Sequence, residues 1–425
     1  MSAHAHERPV GGPILTPGFK LLLALCAVWV GLVLVRLVWG LNGPFGHDPL
    51  LSVSAQSDGY AWGIWKPLNV VTFTGIAAGA FAVGLVTYGF NRGEYHPLVR
   101  SCVMAGAMGY TLGGTSILID LGRYWNLWVI FVPSWLNWNS VLLEIALCVL
   151  AYTLVLWVEV APGILEKLEA SASEATAAKA RAVLPVLKKA MPFVISLAIL
   201  LPSMHQSSLG GLFMVAQTKT HPYWHSAWLP ALFLISCLTM GFGAVVVMEN
   251  LTALAWRRRL DQPLLARLSV VPGWLALAYL AIRLADVAWR FRDPLVQARH
   301  AAMGSPMFYG LFFLMELVLF ATAAYMLLNR RLRENRGTLF GAALLLLFSG
   351  AVYRFDTYLV AYQPSPGWKY FPTPLEILFS IALGAIGVTV YVLFVKVFPI
   401  LSGVEAMPAP GGAMPAAPHS AEVRP

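Results

Sequence analysis

FKLLLALCAVWVGLVLVRLVWGL, residues 19–41, is an apolar run interrupted only by Lys20 near its start and Arg36 near its end. At about 1.5 Å per helical residue it is long enough to cross the ~30 Å hydrocarbon layer of a bilayer. The run is too long for the apolar region of a signal peptide. Only Arg8 and Lys20 supply basic charge around its start, and no small-residue cleavage site follows it. It therefore reads as a retained transmembrane helix.

Nine further runs of this kind follow, near 65–90, 98–119, 138–158, 191–215, 228–253, 269–291, 306–329, 338–361 and 375–399. A chain of 425 residues that is 58% hydrophobic and 12% charged cannot hide its apolar side chains in one water-soluble core. Its mean hydropathy of +0.69 points the same way. The expected fold is an all-α integral membrane protein of about ten transmembrane helices. Residues 1–18 form an N-terminal segment, 19–401 the membrane domain, and 402–425 a tail rich in Pro, Gly and Ala that is expected to be disordered.

The net charge of +9 would point to nucleic acid in a soluble protein, but here the basic residues fall in the breaks between runs. Alternating the runs from the N-terminus puts nineteen Lys and Arg on the side of the termini and eight on the other, with Arg36 and Arg283 inside runs. By the positive-inside rule both termini are expected in the cytoplasm of a bacterial inner membrane. The longest polar break, 159–190, is rich in Glu, Lys and Ala and predicts a short surface helix on that side. Cys26, Cys102, Cys148 and Cys237 all lie in apolar runs with no CxxC pair, which suits packing thiols and argues against an iron-sulfur cluster in this chain.

Runs two to five can be laid over runs six to nine. The third ends in Asp120-Leu121-Gly122-Arg123-Tyr124-Trp125 and the seventh in Asp286-Val287-Ala288-Trp289-Arg290-Phe291; each precedes a run with one acid, Glu144 and Glu316. This predicts two four-helix bundles, helices 2–5 and 6–9, with helices 1 and 10 peripheral, and a binding site near the interface of the repeats.

Ionisable groups inside a span cost roughly 2.5–3.5 kcal/mol each on insertion scales unless paired or hydrated. They are Arg36, Asp120, Glu144, His205, Arg283, Asp286, Glu316, Arg354 and Asp356, and nearly all fall in the half of the bilayer away from the termini. Such a set predicts a polar cavity opening to the outer face, with interhelical ion pairing as the competing reading. A quinone suits the cavity, because its two carbonyl oxygens need donors while its ring and tail need apolar walls. Glu144 and His205 are chemically able to deliver the two protons that quinone reduction consumes. The outer breaks are loaded with aromatics, among them Tyr60, Trp62, Trp65, Trp125, Trp128, Trp135, Trp138, Trp224 and Trp368. These read as an interfacial belt or as a docking surface for a protein partner.

Haem is disfavoured by the histidines: His205 alone lies within a run, and His47, His96, His221, His225 and His300 fall in breaks. Electrons must then enter from a partner's cofactor, and that partner is expected on the outer side.

Several stretches resemble the NrfD/PsrC family of membrane subunits, in particular the HybB-type subunits of membrane-bound nickel-iron hydrogenases. They are Trp62-Gly63-Ile64-Trp65, the run from Asn91 to Arg100, Gly109 to Leu127, Asn139 to Glu144, Leu201 to Ser208, and Tyr370 to Thr373. The resemblance implies a ten-helix subunit without haem or iron-sulfur cluster, taking electrons from a periplasmic ferredoxin-like iron-sulfur subunit wired to hydrogenase large and small subunits. It implies menaquinone or ubiquinone as substrate. Glu144 and His205 match positions that the family uses in quinone and proton handling, with Trp62, Trp65, Tyr110, Asp120 and Arg123 in matched segments around the quinone. The family's association with charge separation implies a proton path through Glu144, Asp286, Glu316 and Glu249, although ordinary capping or solvation is an alternative for Glu249. Asn69 stands where the hydrogenase subunits carry an acid. Two other functions compete: a passive membrane anchor for an iron-sulfur protein, and an ion or solute transporter, for which Pro202, Gly113-Gly114 and Gly210-Gly211 could break helices.

Overall fold

The computed structural model describes residues 9–41, 43, 52–56, 62–170, 173–364 and 370–402; His47, Tyr60, Trp368 and the tail beyond 402 lie outside them. Among the described residues, ten helices are long and apolar enough to cross a membrane. They are α1 (Pro17–Trp39), α2 (Lys66–Gly89), α3 (Gly93–Asp120), α4 (Val141–Glu169), α5 (Glu174–Val215), α6 (Leu229–Trp256), α7 (Gln262–Arg290), α8 (Pro306–Leu328), α9 (Arg336–Val360) and α10 (Pro374–Val397). In lipid no water can satisfy backbone polar groups, so each run closes its own hydrogen bonds as a helix. Their starts carry local signals: Thr16 caps α1, Ser140 caps α4, Asn335 caps α9, and Thr373 with Glu376 forms a capping box on α10.

The helices pack in the two expected rings. In the first, α2 packs on α3, α3 on α4, α4 on α5, and α5 returns to α2. In the second, α6 packs on α7, α7 on α8, α8 on α9, and α9 on α6. A seam joins them where α6 lies against α2 and α5 and the start of α2 meets α9, while α1 and α10 pair outside and α10 rests on α3. Two glycines permit the seam. A side-chain carbon on Gly241 would stand 2.7 Å from the Ala78 carbonyl oxygen, and one on Gly210 would stand 2.4 Å from that of Leu229. Ten crossings return the chain to the face where it began. There the Val10 and Gly11 amides donate to the Val395 and Lys396 carbonyls. We call this the terminal face, and the other the opposite face.

Two local expectations change. The 159–190 segment is not a separate surface helix: α4 and α5 run through most of it, and α5 alone has 42 residues. At about 1.5 Å per residue that is roughly 63 Å, twice the hydrocarbon thickness. Glu, Lys and Ala are strong helix formers, so the helices continue into water instead of ending at the lipid. The breaks that the transporter alternative would use are not there: α5 is continuous through Pro202 and Gly210-Gly211 and α3 through Gly113-Gly114. The helices with π-helical turns are α2, at Lys66–Thr72 and Leu85–Gly89, and α9, at Asp356–Val360. Widened turns of this kind free backbone groups and are frequent at functional sites.

Candidate functional site

The side chains expected to share one outer cavity lie in separate groups. The central one sits on the seam. Arg354 of α9 is fully buried, and its guanidinium donates to neutral acceptors from both bundles: the Val71 carbonyl at 3.1 Å, Ser236 Oγ at 3.0 Å, the Gly350 carbonyl at 3.3 Å, Gln206 Oε1 at 3.1 Å and the Phe233 carbonyl at 3.4 Å. It has no carboxylate within ion-pair distance among the described residues. A buried positive charge without a counter-ion is costly and marks a place where an electron-rich group is welcome.

Gln206 of α5 passes this polarity to the first bundle, donating through Nε2 to Thr74 Oγ1 at 3.2 Å and Tyr110 Oη at 3.4 Å. The Tyr110 ring meets His205 and Tyr152 edge-on, with centroids 5.7 and 4.5 Å away. His205 is fully buried, and both its ring nitrogens lack a hydrogen-bond partner among the described residues. The Tyr152 hydroxyl and Asn69 Oδ1 are likewise buried and unpartnered, while Asn69 Nδ2 donates to Ser116 Oγ at 3.1 Å. Each orphaned polar atom costs roughly 1–3 kcal/mol, a cost that water or a ligand removes.

Glu144, in the first turn of α4, is exposed and takes one hydrogen bond, from Ser208 Oγ at 2.6 Å. Ser208 follows His205 by three residues on α5, so the two share a helix face. The order Glu144, Ser208, His205, Tyr110, Gln206, Arg354 thus runs from the surface of the first bundle to the seam.

The other candidates stand apart. Asp120 receives Lys66 Nζ at 2.7 Å and Gln56 Nε2 at 2.6 Å at the opposite-face rim. Beside it Arg36 donates to the Ile119 and Leu121 carbonyls at 3.1 and 2.5 Å, and Arg123 is exposed. Trp62 donates to the Tyr358 carbonyl at 2.9 Å and packs among Phe213, Tyr358 and Tyr362. Trp65 is core: its ring packs tilted against Phe379, centroids 4.4 Å apart, and it donates to the Glu376 carbonyl at 3.1 Å. Asp286 is held by Arg290 one turn on, at 2.7 Å.

Glu316 is buried and takes four hydrogen bonds, from Arg283 Nε and Nη2 at 2.7 and 3.2 Å, Tyr279 Oη at 2.6 Å and Trp224 Nε1 at 2.9 Å. At the terminal face Glu249 pairs with Arg258 and accepts from Ser101 Oγ at 3.0 Å. Sequence reasoning passed over Gln206, Thr74 and Glu376. Glu376 is buried, accepting from Ser54 Oγ at 3.2 Å and the Ala55 amide at 3.0 Å. Its signal was the Thr373-x-x-Glu376 capping box.

The loops on the opposite face are tied by a single bridge between Thr220 and Tyr362 and by stacked rings. His221 lies on Tyr309, centroids 3.9 Å apart, and its Nδ1 accepts from the Tyr223 amide at 3.2 Å. Nε2 therefore carries the proton and meets His300 Nδ1 at 3.1 Å. Burial, His300 and Arg299 push His221 down to about 3. His221 and His300 touch directly, and His205 faces Tyr110.

The sequence profile described as "Polysulphide reductase, NrfD" matches residues 52–363. The chain is 35% identical over 397 residues to a protein of Escherichia coli (strain K12) named "Probable Ni/Fe-hydrogenase 2 b-type cytochrome subunit", covering 93% of this chain and 95% of that one. It is 24% identical over 395 residues to a protein of Nitratidesulfovibrio vulgaris named "Menaquinone reductase, integral membrane subunit", covering 88% and 91%.

Proposed function

The chain belongs to the polysulphide reductase NrfD family, and from that membership we propose that it is the quinone-reactive membrane subunit of a respiratory oxidoreductase of the hydrogenase type. The observation that carries this reading is His205, buried with two unpartnered ring nitrogens between Tyr110 and the uncompensated Arg354 system. A quinone carbonyl is an acceptor that an imidazole N–H can meet, and its reduction builds negative charge that Arg354 favours. Quinone takes up two electrons and two protons to become quinol. The electrons come from an iron-sulfur subunit, and the protons pass by Glu144, at the lipid-exposed edge, and His205.

The positive-inside count sets the terminal face in the cytoplasm, so the iron-sulfur partner, itself joined to hydrogenase large and small subunits, docks on the periplasmic opposite face. Exposed aromatics there support that docking, notably Trp125, Trp128 and Phe131 on the helical turns Tyr124–Phe131, where no residue is buried. Menaquinone is the favoured substrate on the strength of the menaquinone reductase relative. Any coupled proton movement involves Glu144 and His205 first. Asp286, Glu316 and Glu249 each sit in an ion pair that would have to open before they could exchange a proton.

Glu144→Gln and His205→Ala are expected to abolish hydrogen-driven quinone reduction while leaving electron transfer to an artificial dye intact. Wild-type quinone reduction in both variants would remove the site assignment. Loss of dye activity as well would mean that the variants disrupt assembly of the complex, and a quinone-site inhibitor that does not compete with quinone would point to a passive anchor.

A further inference from the structure

On the terminal face a buried ion pair and a wet one lie close together. The buried pair is Glu249 of α6 with Arg258, whose side chains are 5% and 3% exposed. Ser101 Oγ of α3 donates to Glu249 Oε1 at 3.0 Å, and Arg258 Nε donates to Thr252 Oγ1 at 3.2 Å. The Tyr391 hydroxyl of α10 faces the same pair and is buried without a hydrogen-bond partner among the described residues. A water molecule there would satisfy it. One residue before Ser101, Arg100 pairs with Glu166 of α4 at 2.8 Å, and these side chains are 30% and 31% exposed. Water therefore reaches the rim and stops short of Glu249.

The stretch after α10 joins the two pairs. The helix ends at Val397, and the backbone is extended at Phe398. Arg100 Nη1 then donates to the Pro399 carbonyl at 3.4 Å, and Arg258 Nη1 to the Ser402 carbonyl at 3.3 Å. Between these ties Ile400 and Leu401 are buried in the main apolar core. Ile400 lies over Gly163 of α4, where a side-chain carbon would stand 3.7 Å from its Cδ1. Two apolar side chains pressed into the end of the bundle keep water out. The stretch belongs to no helix, so it opens at a lower free energy than the spans do.

We propose that residues 398–402 are a displaceable seal that closes the terminal-face end of the bundle over Glu249, with Arg258 as its latch. One guanidinium holds both the Glu249 carboxylate and the Ser402 carbonyl. Lifting the seal takes an acceptor from Arg258 and admits water to Glu249, Ser101 and the Tyr391 hydroxyl together. The pair that keeps Glu249 from exchanging a proton is thus tied to the position of this stretch. The seal requires no quinone chemistry, so it stands or falls separately from the His205 site.

The test places a reporter thiol behind the seal with Ser101→Cys in the full chain. Membrane vesicles of each orientation are treated with a small, membrane-impermeant quaternary-ammonium thiosulfonate, and mass spectrometry with fragmentation follows the label at residue 101. Modification is expected to be slow in the otherwise unaltered chain. Leu401→Ser, which weakens the apolar plug, raises the rate from the terminal face at least about tenfold. Gly163→Leu, which drives Ile400 out of its seat, does the same, and Arg258→Gln raises it about tenfold. Thermal unfolding reports whether each variant is folded. An unchanged rate in folded Leu401→Ser and Gly163→Leu, or faster modification from the opposite face, would overturn the proposal. If Leu401→Ser does not fold, Gly163→Leu, which leaves the seal's own residues and Arg258 in place, decides it by the same criterion.

Discussion

Glu144 and Glu316 stand in the third helix of the first and second bundles, and their surroundings are opposite. Glu316 is buried under four hydrogen bonds, two of them from Arg283, and the Arg283 guanidinium is itself sandwiched by Phe313, 4.8 Å from its ring centre. Glu144 is exposed with one hydroxyl donor, Ser208, which lies one helical turn along α5 from a histidine without a hydrogen-bond partner among the described residues. Asp120 and Asp286, which close the second helix of each bundle, differ similarly: Asp120 is tied to other segments by Lys66 and Gln56, Asp286 to its own helix by Arg290. A saturated ion pair has no free donor or acceptor for a substrate, so the second bundle reads as the rigid half. The unpartnered polar atoms of the first bundle, at His205, Tyr152 and Asn69, those of α9, at Tyr353 and Asp356, and the cation of Arg354, which meets only neutral acceptors, are where exchange with a small molecule can happen.

The strongest way to break this comparison is to open the saturated pair. Arg283→Met leaves Glu316 buried without its cation and is expected to destabilise the protein by about 3–5 kcal/mol, read by thermal unfolding in detergent. A loss under about 1 kcal/mol would show that the second bundle is not held by this pair. Next, His205→Leu removes two unpartnered nitrogens, so stability should stay level or rise slightly. Quinone-linked activity should meanwhile fall at least about a hundredfold. A large drop in melting temperature would mean that His205 is structural.

Trp62→Phe keeps the ring among Phe213, Tyr358 and Tyr362 but deletes the bond to the Tyr358 carbonyl. A cost of about 1 kcal/mol is expected, with the Michaelis constant for quinone rising more than turnover falls. A pH-dependent effect concerns the loops above the second bundle. His221 stays neutral when folded, held down to about 3, whereas its ordinary value is 6.5. Its contribution to stability is therefore complete above about pH 6.5 and is lost as pH falls below that toward 3, by at most about 1.4 kcal/mol per pH unit. His221→Phe should flatten the melting-temperature profile in that window and nowhere else.

The ten spans and their order were legible because a run of some twenty apolar residues has one solution in lipid. The ring of helices 2–5 and the ring of helices 6–9 followed from the repeated acids. Of the candidate site, Tyr110 and His205 were legible through their matched segments, and the structure brings their rings together. Arg354, equally visible as an intramembrane charge, gave no hint of its contacts, since its acceptors come from α2, α5, α6 and its own helix. Glu144 and Glu316 looked alike in sequence, and Trp65 looked like a surface aromatic although it is fully buried.

Sequence alone determined how many times the chain crosses the bilayer, which connections are basic, and which ionisable side chains lie inside the membrane, because hydropathy is a property of each segment by itself. Tertiary structure alone decided which of those side chains are neutralised and which are left open. A helix that is apolar all round can turn about its axis with little change in its own contact with lipid. Only the neighbours fix that rotation, as Gly241 against Ala78 and Gly210 against Leu229 do here, and with it the partner that each buried charge meets.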